Sequence, residues 1–88
     1  MRVYDKAAWH IDGGEPSTEV VSRFREIFIF LKEKNMLTCD GLETLEYAMD
    51  TSVSINSDMV NKDGNDFLLT FYDGYCKIIT VNKKGVIL

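Results

Sequence analysis

A mainly α-helical fold, with three helices closed around one core, is what this sequence predicts, and three patterns carry the prediction. Val20, Val21, Phe24, Ile27, Phe28 and Leu31 return to one face at about 100° per residue. Leu42, Leu45, Ala48 and Met49 repeat that spacing over a shorter stretch. Further on, Asp66, Thr70, Asp73, Lys77 and Thr80 share one arc, with Phe67, Leu68, Phe71, Tyr72, Tyr75, Ile78 and Ile79 opposite. A chain of 88 residues, 45% of them hydrophobic, is enough for a single domain over 1–88 but leaves little stability to spare.

Residues 1–15 read as an aromatic N-terminal arm. Asp5 is expected to cap a single turn, Lys6-Ala7-Ala8-Trp9, before Asp12-Gly13-Gly14 reverses the chain. Tyr4 and Trp9 are expected to anchor the arm, with Trp9 closing one end of the core. The first long helix then spans 16–34. Pro16 suits its first turn, Lys32 and Lys34 suit the negative end of its dipole, and Asn35 suits its stop. Ile29 and Phe30 break its pattern by pointing to the polar side. Either the helix is central and touched on two sides, or these residues meet a partner.

A second helix is expected over 41–50, opened by a capping box of Asp40 and Glu43. Residues 51–60 read as a connecting loop that dips Val53, Ile55, Met59 and Val60 into the core. The third helix is expected over 62–80, with Asn61 as its N-cap. Gly64 near its start implies close approach of another segment, for which the arm around Trp9 is the candidate. The competing reading is an α+β fold with a hairpin at 67–81, turned by Asp73-Gly74. Phe67 to Tyr72 does not alternate as a strand should, which favours the helix. Asn82 and Gly85 would end it, leaving Val86-Ile87-Leu88 as a short apolar tail. The expected core is Phe24, Ile27, Phe28, Leu31, Leu45, Met49, Phe67, Phe71 and Tyr75.

Charge is distributed unevenly. From Asn35 to Asn61 there is no lysine or arginine, yet Asp40, Glu43, Glu46, Asp50 and Asp58 all fall there, while the net charge is −4. Asp40, Glu43, Glu46 and Asp50, spaced by three and four, form an acidic stripe on the second helix. Such a field suits a basic protein partner. A solvated face that keeps a small protein soluble is its plainer explanation. A pI near 4.8 argues against nucleic acid or an anionic membrane as partner. The longest apolar run, Ile27 to Leu31, is far short of a bilayer span, and Arg2, Asp5 and Lys6 interrupt any signal sequence. A cytoplasmic protein is expected, with Cys39 and Cys76 as reduced thiols.

Chemistry is poorly represented. His10 is the one histidine, and with Asp12 and Glu15 nearby it lacks a recognisable metal-ligand spacing, so a hydrogen-bonded structural role is expected. Gly13-Gly14 precedes a helix, but Glu15 and Glu19 would repel a phosphate. No catalytic residues, metal or cofactor are expected. Partner binding is assigned to Asp40, Glu43, Glu46 and Asp50, and a second interface, including a homodimer, to Ile29 and Phe30.

Two patches carry a family resemblance. One is Tyr4-Asp5-x-Ala7-x-Trp9-His10 with its following glycine turn and proline; the other is Asn61-x-x-Gly64-Asn65-x-Phe67, followed by aromatics through Tyr72 and Tyr75. Together, covering about a third of the chain, they resemble a family of small, mostly uncharacterised bacterial helical domains similar to the immunity proteins found beside secreted toxins. The resemblance implies a compact helical fold and a toxin-blocking role, and carries no catalytic residues. The apolar tail departs from the more polar helical end such a family would have.

Overall fold

The computed structural model describes residues 1–72, and the protein is a mainly α-helical small domain with a two-stranded sheet. Its elements are β1 (Val3–Lys6), α1 (Ala7–Asp12), α2 (Ser17–Glu33), α3 (Cys39–Tyr47), β2 (Ser54–Asn56), a 3-10 turn (Ser57–Met59) and α4 (62–72).

Helix α2 is the hub. Val20, Phe24, Phe28 and Leu31 are fully buried along its inner face, as the spacing predicts, with Ile27 packed beside them. Its end is set by Asn35, which takes the left-handed conformation at φ 58° so that Met36 N–H reaches Leu31 O at 2.8 Å. Ile29 and Phe30 are 41% and 38% exposed. Phe30 leans on Phe67 at a ring separation of 5.1 Å.

The N-terminal arm differs from its expected form. Asp5 lies in β1 and caps no turn; the residue before α1 is Lys6, and the helix runs on to Asp12. Strand β1 pairs antiparallel with β2, Asp5 opposite Ile55 and Lys6 opposite Ser54, with an irregularity at Tyr4. Residues 51–60 are therefore a strand and a 3-10 turn where a loop was expected. Val53, Ile55 and Val60 are buried and Met59 is half-buried, as predicted. Trp9 is 55% exposed and closes no end of the core among the described residues. The arm is anchored instead by Ala7, which is fully buried, and by Tyr4, whose hydroxyl donates to Asn65 Oδ1 and whose ring stacks on Tyr72.

Helix α3 begins earlier and ends sooner than predicted. Its N-cap is Thr38, whose hydroxyl accepts from Gly41 N–H, so Asp40 and Glu43 form no capping box. It stops at Tyr47 because the following turn has better local bonds. Asp50 Oδ1 accepts from both Ser52 N–H and Ser52 Oγ, and Val53 N–H reaches Asp50 O at 3.1 Å. Leu45 and Met49 pack against the core, whereas Leu42 is 40% exposed and Ala48 is exposed.

Residues 62–72 are helical, which removes the first strand of the hairpin alternative; 73–81 and the tail lie outside the described residues, as does Tyr75. Asn61 caps α4 as expected, accepting from Gly64 N–H at 2.9 Å. Gly64 marks a close approach, but to Val60 and Met36: a Cβ there would stand 2.6 Å from Val60 Cβ and 3.0 Å from Met36 O. Leu68 and Tyr72 are the buried hydrophobic residues of α4 and Phe67 packs against the core as expected, whereas Phe71, also expected there, is 38% exposed. Over 62–72 the helix is as expected, and of its apolar arc Leu68 and Tyr72 point furthest inward.

Candidate interaction surface

The acid-rich part of the chain is held in place by Thr38. Its N–H bonds Met59 O at 2.9 Å and its hydroxyl donates to Asp58 O at 2.8 Å, while Leu37 bridges to Val60 just beyond. These bonds press the start of α3 against the 3-10 turn. Gly41 permits the approach, since a Cβ at that position would stand 2.3 Å from Met59 O. Asn56 Oδ1 accepts from Asp58 N–H at 2.9 Å and fixes the turn itself.

Between the two elements runs a groove of about 380 Å³, lined by Asp40, Glu43, Thr44 and Tyr47 from α3 and by Asn56, Asp58 and Met59 opposite. Two of the four predicted stripe residues, Asp40 and Glu43, share it. Glu46 is exposed on α3 but does not line it. Asp50 does not belong to the stripe at all, because the helix that would have aligned it ends at Tyr47. It lines a separate depression with Ser17, Thr18 and Arg25. There the Ser52 hydroxyl, then the Ser52 N–H, holds its carboxyl below the usual carboxylate range.

Two residues of the groove escaped the helical stripe. Asp58 is brought opposite Asp40 and Glu43 only because the 3-10 turn folds back, and Tyr47 stands 79% exposed at the groove. The cluster of Asp58 with the other acids in a lysine-free stretch was the available signal for the first. Among the described residues, Asp40, Glu43, Glu46 and Asp58 make no ion pair. Three carboxylates beside an exposed phenol ring can receive a cation, the carboxylates by charge and the ring by its negative face.

The carboxylates of the arm are arranged differently. Gly14, at φ 103°, turns the chain so that Glu15 N–H bonds His10 O at 3.1 Å and its side chain returns to the ring. His10 Nδ1 lies 2.9 Å from Glu15 Oε2, and Nε2 lies 2.8 and 3.0 Å from the two oxygens of Asp5. Arg23 of α2 donates to Glu15 Oε1 at 3.0 Å. That bond, foremost, holds the Glu15 carboxyl below its ordinary range against the opposing effect of burial, and His10 lowers it further. His10 is hydrogen-bonded, as expected, and its partners are the carboxylates of Asp5 and Glu15. Among the described residues, no group of three or more His, Cys, Asp or Glu side chains is placed to hold a metal ion.

The third feature is a cleft of about 330 Å³ between α2 and α4, walled by Ile27, Phe30, Phe67, Phe71 and Tyr72 with Asp5, Arg23 and Glu26 beside them. Phe30, Phe67 and Phe71 form a continuous aromatic run there, at ring separations of 5.1 and 5.6 Å. Cys39 is an exposed free thiol. No helix of the described residues is long and apolar enough to cross a membrane. Compared with known proteins, the chain finds no significant match to a family model, a curated protein or a solved structure.

Proposed function

We propose that the protein is a non-enzymatic binding module, an immunity-type inhibitor that acts in the cytoplasm and blocks a cognate toxin through the acidic groove of α3 and the 3-10 turn. The observation that carries this reading is the alignment of Asp40, Glu43 and Asp58 on one groove with no cation of the described residues to neutralise them. Toxin domains that act on nucleic acids present basic clefts. A fixed acidic wall gains fast, salt-sensitive association with such a cleft by electrostatic steering. The groove has room for an arginine or lysine side chain against the Tyr47 ring. Glu46, exposed on the same helix, would add to the long-range field.

The test has two parts. The reading frame beside this one is expected to encode a secreted protein whose C-terminal domain arrests growth when expressed inside the cell. Co-expression of the chain should relieve that arrest, and the triple variant Asp40→Lys, Glu43→Lys, Asp58→Lys should not. A neighbour without toxicity would sink the immunity reading; relief by the triple variant would move the contact away from the groove.

A second reading, self-association, is favoured by the exposure of Ile29 and Phe30 and by the aromatic run through Phe67 to Phe71. Sedimentation of the pure protein discriminates: a dimer lost on Phe30→Glu supports this reading, and a monomer at high concentration removes it.

A further inference from the structure

We draw no further inference here: the strongest candidate, the aromatic cleft between α2 and α4 walled by Phe30, Phe67 and Phe71, carries nothing because nothing in the structure shows what covers it.

Discussion

At the arm, Asp5 and Glu15 each face a nitrogen of His10 at hydrogen-bond distance, and Glu15 faces Arg23 as well; on α3 and the 3-10 turn, Asp40, Glu43 and Asp58 face no such side chain among the described residues. Both regions have the same kind of side chain, and both are fixed by backbone turns, Gly14 in one and Gly41 against Met59 in the other. The difference lies in where the charge is directed. In the arm, carboxylates close a network that joins β1, α1 and α2. In the groove they line one surface, and only Asp40, in the first turn of α3, has an evident part in the fold, through the helix dipole. Carboxylates left without a cation of the described residues shape a surface that suits a basic partner better than the closed network of the arm does.

Substitutions should separate the two regions, and the largest effect is expected in the arm. Asp5→Ala removes the acceptor for His10 Nε2 and for Lys6 N–H from a nearly buried site. It should cost about 3 kcal/mol in urea unfolding, as breaking one side of a buried pair does. Gly41→Ala comes next, at about 2 kcal/mol. Its methyl group meets the Met59 carbonyl, a backbone atom that cannot step aside, so α3 must lift from the 3-10 turn and the groove must widen. Chemical shifts of Asn56 and Asp58 should move with it.

Glu15→Gln should matter less, under about 1 kcal/mol, because the pair with Arg23 is more than a third exposed and screened by solvent. Its pH dependence is the more informative readout. Arg23 lowers the folded-state titration of Glu15 below that of the unfolded chain. The contribution is therefore present above the ordinary carboxylate range and lost as the pH falls through it. The wild type and Glu15→Gln should thus converge in stability toward acid.

The sequence carried the large helical features well. The α2 stripe, its stop at Asn35, the Asn61 cap and the tight spot at Gly64 are all local or nearly so, and each has a residue type that the geometry demands. The mainly α reading follows from them. The β1–β2 pairing was hidden because strands of four and three residues have no room to display a period, and their partners lie some fifty positions apart. The end of α3 was misplaced because apolar spacing continues through Ala48 and Met49, while the Asp50–Ser52 turn supplies competing bonds that no periodicity registers. Of the candidate site, Asp40 and Glu43 were legible from helical spacing. Asp58 and Tyr47 needed the fold-back of the 3-10 turn, and the network around His10 needed the Gly14 turn.

The patches from Tyr4 to His10 and from Asn61 to Phe67 meet in the fold. Tyr4 and Asn65, one from each, are hydrogen-bonded to one another, and Asn65 Nδ2 also reaches the Ser57 and Asn61 carbonyls at 3.3 and 3.2 Å. They hold the arm to α4, and so describe how the domain is built more than what it binds.

The central contrast, inward against outward carboxylates, is tested most directly by urea unfolding at neutral pH of Asp5→Asn beside the triple variant Asp40→Asn, Glu43→Gln, Asp58→Asn. The first should lose about 2 kcal/mol or more, and the second should stay within about 0.5 kcal/mol of the wild type, as repulsion relieved offsets the small helix-dipole loss at Asp40. A triple variant destabilised as much as Asp5→Asn would show that the groove carboxylates hold the fold together, and would contradict their assignment to a partner.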